Sequence, residues 1–292
     1  MKVRRAVITA AARRERALPL HTLVDCDGSR KSVLRIIVQE ALGAGVEAVC
    51  VVVCPGDEAA YADAVEELAP HLAFVTQPEA DGYGHAVLCA REFTEGEPFL
   101  HLMGDHVYVA RGRSYAQQVV SVAETTDCSV SSVQPTREGL LPYFGVIGGA
   151  RVPGTPDRYL VGAVREKPSP TLAEQELVIP GIRAGHYLCF SGMHVLTPVV
   201  MEILADLYAA RKPNEKLELS PALNELARRE RYEALEVQGI RYPVDVRYGM
   251  LLAQMGLALN GRDRDLLLAL ITENLAQAAS GGAPLGPMAP LT

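Results

Sequence analysis

The sequence predicts an α/β fold: an open, mostly parallel mixed sheet with helices on both faces. Three features carry that expectation. Apolar runs of strand length alternate with segments of helical spacing from residue 3 to residue 134. One such run, residues 48–54, is apolar and β-branched almost throughout, as a strand covered on both faces must be. Apolar residues make up 49% of the 292 positions, enough to fill a large core.

Residues 3–10 form the first expected strand. In 32–44, Val33, Ile36, Ile37 and Ala41 recur at helical spacing. After the strand at 48–54 come a helix over 57–68, capped near Gly56 or Asp57, a strand at 72–76 and a helix over 84–92. A strand at 99–103 ends at Gly104 and Asp105, and a helix (115–125) and a strand (128–134) follow.

The second half is less regular. Strands are expected at 143–148, 159–166 and 187–196, with a Pro-rich excursion loop over 168–185. Helices are expected at 198–209, 221–231, 250–260 and 265–277. Residues 280–292 are rich in Gly, Pro and Ala without charge and are expected to be a disordered tail. No repeat or long linker divides the rest, so 1–279 is read as one domain.

Bulk properties exclude several roles. A net charge of −7 argues against a nucleic-acid surface, which needs a basic field. No apolar run approaches the ~20 residues of a membrane span. The basic start meets Arg13, Arg14 and Arg16 too early for a signal peptide and reads as a first strand. Six cysteines without a C-x-x-C pair read as free thiols in a reducing cytoplasm. Self-association into a homo-oligomer is left open.

Ligands of open α/β sheets bind at the carboxyl ends of the strands. After the first strand stand Arg13, Arg14 and Arg16, either a polyphosphate clamp or a solvated loop. Gly82 and Gly84 precede a helix, either to admit a ligand to its N-terminus or to make the turn. Asp105 ends a strand, as a metal carboxylate or a turn residue. Glu166 and Lys167 end another, as sugar and phosphate partners or an exposed ion pair.

Order and spacing say more than any single residue. Phe74-Val75-Thr76-Gln77, the run from Gly82-Tyr83-Gly84-His85-Ala86 to Ala90, Glu97-Pro98-Phe99 and Gly104-Asp105 occur in sequence. Tyr143-Phe144-Gly145-Val146-Ile147, Glu166-Lys167-Pro168 and His194-Val195-Leu196-Thr197-Pro198 follow. Over about residues 1–260 the chain resembles the bacterial UTP–glucose-1-phosphate uridylyltransferases, among the sugar-1-phosphate nucleotidyltransferases.

The resemblance implies a Rossmann-like sheet of the nucleotide-diphospho-sugar transferase type. It implies Mg²⁺ as cofactor, UTP or UDP-sugar and a sugar 1-phosphate as ligands, and uridylyl transfer with release of pyrophosphate. Gln77 and Gly82 would contact the uracil edge, and Ala11, Ala12, Gly84 and Lys31 would complete the nucleotide site. Asp105 and Asp245 would hold the metal. Gly145, Glu166 and Lys167 would hold the sugar and its phosphate, and Arg16 and Lys167 would join Asp105 as catalytic residues.

The departures lie mostly in the N-terminal nucleotide loop. Where the family has approximately G-x-G-T-R, this chain has Ala12-Arg13-Arg14-Glu15-Arg16, and Thr22 replaces a lysine. Asp245 sits in Tyr242-Pro243-Val244-Asp245, two residues from the family's Y-D. The family's E-I-Q-L-T-D-A ends here in Ser220-Pro221-Ala222. Two functions are therefore expected: a UDP-sugar-forming enzyme, or an impaired relative that binds a sugar phosphate or UDP-sugar as a sensor or assembly partner.

Overall fold

The computed structural model describes residues 1–279. The expected disordered tail, 280–292, lies outside them.

In chain order the first half comprises β1 (Arg5–Thr9), β2 (Thr22–Val24), β3 (Arg30–Ser32), α1 (Val33–Gly43), β4 (Ala48–Val53), α2 (Glu58–Asp63) and β5 (Leu72–Thr76). It continues with α3 (Tyr83–Cys89), α4 (Arg91–Thr94), β6 (Phe99–Met103), β7 (His106–Val109), α5 (Tyr115–Thr126) and β8 (Ser129–Arg137). The second half comprises β9 (Gly145–Arg151), β10 (Arg158–Glu166), α6 (Pro170–Glu176), β11 (His186–Leu196) and α7 (Val199–Ala210). It ends with α8 (Leu219–Arg229), β12 (Tyr232–Glu236), β13 (Ile240–Pro243), α9 (Gly249–Asn260) and α10 (Arg264–Ala279).

Nine strands make the central sheet, in the order β5-β4-β1-β6-β11-β8-β12-β10-β9. From β5 to β6 every pairing is parallel, as the helical crossovers of the first half require. Antiparallel pairings enter with β11, which runs against both β6 and β8, and only β12 pairs parallel beyond it. The sheet is therefore mixed, with its parallel part at the N-terminal side.

Both faces are covered. Along β1, Ala6 and Ile8 face the core that holds Val33 and Ile37 of α1. Val7 faces the other way, into the core that holds Val87 of α3 and Leu204 of α7. The same alternation in β4 sends Val49, Val51 and Val53 to one side and Cys50 and Val52 to the other. This is why 48–54 reads as an unbroken apolar run. Each buried Val, Ile or Leu among them contributes about 1.5–3 kcal/mol by leaving water.

Several elements were not legible. The 57–68 segment divides into α2 and a separate 3₁₀ turn at Glu66–His71. The excursion loop contains α6, started by Ser169, whose hydroxyl accepts from the Leu172 N–H at 3.2 Å. β12 escaped notice because it carries Glu233, fully buried and held by Arg158 at 2.6 Å and Arg231 at 2.5 Å. The ribbon of β7 and β13 also escaped, and it positions the site. Its antiparallel register sets Pro243 opposite His106, and the Val244 N–H donates to the Asp105 carbonyl at 2.8 Å.

Candidate functional site

At the carboxyl ends of β1, β5 and β6 a cleft opens in two halves. One half, about 610 Å³, is lined by Ala11, Ala12, Gln77, Gly82 and Tyr83 among others. The second, about 770 Å³, is lined by Gly145, Glu166, Lys167, Phe190 and Ser220 among others. Ala12, Glu15, Tyr83, Met103 and Asp105 line both and form the seam. Asp245 lines the second half only.

The seam is acidic. Carboxylate oxygens of Glu15, Asp105 and Asp245 all lie within 4.8 Å of one another. Asp105 follows β6, and Asp245 is delivered by the β7–β13 ribbon. Glu15 comes from the loop after β1, where Glu15 N–H donates to Ala12 O at 2.9 Å and Leu18 N–H to Glu15 O at 2.8 Å. In the sequence Glu15 stands out only as one residue of the altered nucleotide loop. Its place in this cluster was not foreseen, because nothing in the spacing ties it to Asp105.

The three carboxyls have different electrostatics. Burial, then the charge of Asp245 and of Asp105, pushes Glu15 above its ordinary value. Burial, then Asp105, likewise raises Asp245. Burial acts in the same direction on Asp105, but the His106 hydrogen bond leads a set of contacts that outweighs it and holds Asp105 low. His106 Nδ1 lies 2.5 Å from Asp105 Oδ1, and Arg241 Nη1 donates to His106 Nε2 at 3.2 Å. A guanidinium only donates, so Nε2 accepts and Nδ1 carries the proton toward Asp105. Arg241 also lies over the Phe144 ring, 4.8 Å from its centroid. Three hard oxygen donors crowded at one seam, two disfavoured as anions by their neighbours, suit a divalent cation. His106 and Arg241 would act as its outer support.

In the second half, Ser220 Oγ donates to Glu166 Oε2 at 2.5 Å. Lys167 Nζ stands 3.6 Å from Glu166 Oε1. Gly145 leaves open the space beside Glu166 and Ser220. A Cβ there would sit 2.8 Å from Phe190 Cδ2, 2.9 Å from Ser220 Oγ and 3.1 Å from Glu166 Oε2. Below the cleft runs a buried polar layer. His194 lines the second half, with Nδ1 2.5 Å from Ser131 Oγ. His101 lies 3.3 Å from both Thr9 Oγ1 and the Tyr83 hydroxyl.

In the first half, Gln77 Nε2 donates to the Gly82 carbonyl at 3.0 Å and lies 3.1 Å from His85 Nδ1. Gly82 has φ +107°, and its missing side chain admits the Leu217 backbone, which also accepts from the Gly84 N–H at 2.8 Å. These glycines thus seat the chain segment before α8. Gly82 also lines the cleft, whereas Gly84 lies behind it.

Besides Gly84, two expected site residues, both cations, stand outside the cleft lining. Arg16 binds Asp57 in a two-pronged ion pair, one arm at 2.8 Å, and does not line the cleft. The loop carrying it is anchored by the Tyr61 hydroxyl, which donates to Arg16 O at 2.8 Å. Lys31 lies on β3, 2.5 Å from Asp25 and 2.8 Å from Asp27, also outside the cleft lining. Acidic partners hold both cations, Arg16, which the resemblance made catalytic, and Lys31, which it assigned to the nucleotide.

Residues 20–246 match the family model described as nucleotidyl transferase. The chain is 27% identical to the UTP–glucose-1-phosphate uridylyltransferase of Mycoplasma genitalium, over 90% of this chain and 94% of that one. It is 28% identical to the Streptococcus pneumoniae protein of the same name, over 88% and 91%. A UDP-glucose pyrophosphorylase solved with UDP-glucose superposes with a TM-score of 0.70 at 22% identity, covering 86% of this chain and 97% of that one. The UTP-bound UGPase from Acinetobacter baumannii gives 0.70 at 20%, covering 93% and 99%. The fold is that of the nucleotide-diphospho-sugar transferases, and the chain belongs to the nucleotidyl transferase family.

Proposed function

We propose that this protein transfers a uridylyl group from UTP to glucose 1-phosphate, releasing pyrophosphate and forming UDP-glucose. The observation that carries the reading is the acidic seam between two half-clefts. A nucleotide in one half and a sugar phosphate in the other would bring their reacting atoms to Asp105. The names of the relatives supply the base and the sugar.

The first half takes the nucleotide, with Gln77 and Gly82 at the uracil edge and Ala11 and Ala12 beneath the phosphates. Gly145, Glu166 and Lys167 take the sugar phosphate. Glu166 accepts from sugar hydroxyls and stays oriented by Ser220. Asp105, Asp245 and Glu15 would hold Mg²⁺, which supplies charge neutralisation at the reacting phosphate. A phosphate oxygen of the sugar phosphate attacks the α-phosphorus, and the bond to the β-phosphate oxygen breaks, the electron pair leaving with pyrophosphate. Positioning and electrostatics do most of this work, so an altered loop need not abolish it. A binding-only role is not favoured, because it gives no reason to gather three carboxylates where the halves meet.

Residues 1–279 act as one nucleotidyltransferase unit in this reading. Among the described residues no helix is long and apolar enough to cross a membrane. A cytoplasmic setting, where UTP is supplied, fits the reaction. The test is chromatographic detection of UDP-glucose from UTP, glucose 1-phosphate and Mg²⁺, with CTP, ATP and galactose 1-phosphate as competitors. Formation of UDP-glucose ahead of every alternative supports the assignment, and a product only from another base or sugar would refute it.

A further inference from the structure

Three cations surround the nucleotide half of the cleft without a direct salt bridge, Arg14 acting on the neighbouring Glu15 through charge alone. Arg13 and Arg14 come from the loop after β1, and Lys216 from the segment before α8. Their side chains make no hydrogen bond or ion pair with any described residue. The basic residues nearby are spent on protein contacts: Arg16 on Asp57, Lys31 on Asp25 and Asp27, Arg211 on Asp81. Exposed cations left unpaired around one cavity suit an anionic ligand.

Their placement is asymmetric. All three line the nucleotide half and none lines the sugar half. Gly145, Glu166 and Lys167 show the reverse. In a displacement at phosphorus the entering and leaving oxygens stand roughly in line on opposite sides. Resting on the proposed uridylyl transfer, the sugar phosphate enters from the side of Lys167 and pyrophosphate leaves toward the side of Arg13, Arg14 and Lys216. The loop backbone is a poor substitute for these side chains. The Glu15 N–H is already spent on Ala12 O, and no glycine opens the stretch.

We infer that Arg13, Arg14 and Lys216 form a side-chain clamp for the β- and γ-phosphates of the nucleoside triphosphate and for the departing pyrophosphate. Charge on flexible arms replaces a backbone cradle. Binding through exposed charges is screened by salt, whereas base and sugar contacts are much less so. The clamp therefore acts on UTP and pyrophosphate and leaves UDP-glucose, which lacks both terminal phosphates, largely untouched.

The test is calorimetric titration of Mg²⁺–UTP, Mg²⁺–pyrophosphate and UDP-glucose into the wild-type protein, Arg13→Ala/Arg14→Ala, Lys216→Ala and Lys216→Arg. All three residues are exposed, so the variants keep the wild-type thermal midpoint. UTP and pyrophosphate affinity fall about tenfold or more in both alanine variants, UDP-glucose affinity stays within about twofold, and Lys216→Arg retains UTP binding. Raising NaCl weakens UTP more steeply than UDP-glucose. Unchanged UTP affinity in the alanine variants, or equal losses for UTP and UDP-glucose, would overturn the clamp while leaving uridylyl transfer standing. Clamp-dependent UTP binding with no UDP-glucose formed would sink the proposed function and keep the clamp. A folded wild-type protein that binds neither nucleotide overturns both.

Discussion

Glu15 and Asp105 reach the same seam from different strands, their carboxylate oxygens within 4.8 Å of one another and of Asp245. Asp105 is held ionised by His106, while Glu15 is pushed toward its neutral form by burial and by its acidic neighbours. A cation at the seam removes that conflict.

Glu15→Gln keeps the shape of the side chain and removes its charge. Mg²⁺ affinity should fall about tenfold, near 1.4 kcal/mol, read as a weaker rise in thermal midpoint across a Mg²⁺ titration. The metal-free protein should be no less stable than wild type, because repulsion with Asp105 and Asp245 is relieved. An unchanged Mg²⁺ response would remove Glu15 from the metal site.

Arg16 acts through Asp57 in this structure. Arg16→Ala and Asp57→Ala should each lower turnover by loosening the loop that carries Glu15, and the double variant should lose no more than the worse single one. Steady-state kinetics of the three variants decides this. Additive losses would mean that Arg16 leaves Asp57 during the reaction and touches substrate itself.

Gly145→Ala places a methyl group against Phe190, Ser220 and Glu166. We expect kcat/KM for glucose 1-phosphate to fall roughly 10–100-fold, or about 1.4–2.7 kcal/mol, with UTP binding within twofold of wild type. Parallel loss of UTP binding would show that the two halves of the cleft are not independent.

Much of the frame was legible because its signals are local. The apolar runs of β1, β4 and β6 report burial on two faces, and Gln77, Gly82, Asp105, Gly145 and Glu166 sit beside strand ends or turns that spacing reveals. What stayed hidden depends on pairing between distant segments. The resemblance named Asp245 beside Asp105, but what brings them together, β13 pairing with β7, is two four-residue strands with no pattern of their own. Lys216 reaches the cleft because the glycines at 82 and 84 receive the backbone at 217. Arg16 and Lys31 look free in sequence and are not, since Asp57 and Asp25 meet them only in the fold.

The polar layer under the cleft sets an acid limit on stability. Burial pushes His194 down to about 3, and burial followed by the charge of His194 pushes His101 well below its ordinary 6.5. The unfolded chain binds these protons near pH 6.5 and the folded chain does not. Their contribution is therefore full above pH 6.5 and lost as pH falls below it, by up to about 1.4 kcal/mol per pH unit for each histidine. Urea midpoints between pH 7.5 and 5 should drop along this course. His194→Asn keeps an acceptor for Ser131 and should flatten the fall, and an unaltered slope would show that His194 takes up its proton without unfolding.

Pyrophosphate release from UTP and glucose 1-phosphate, followed against Mg²⁺ in the wild-type protein and in Asp105→Asn, tests the acidic seam as a reaction centre. Asp105→Asn preserves size and the chance of a hydrogen bond with His106 but weakens the metal site. We expect Mg²⁺-dependent release by the wild-type protein and a loss of at least about 100-fold, near 2.7 kcal/mol, in the variant. Equal release by the two proteins, or none from a folded wild-type protein saturated with both substrates and Mg²⁺, would contradict it.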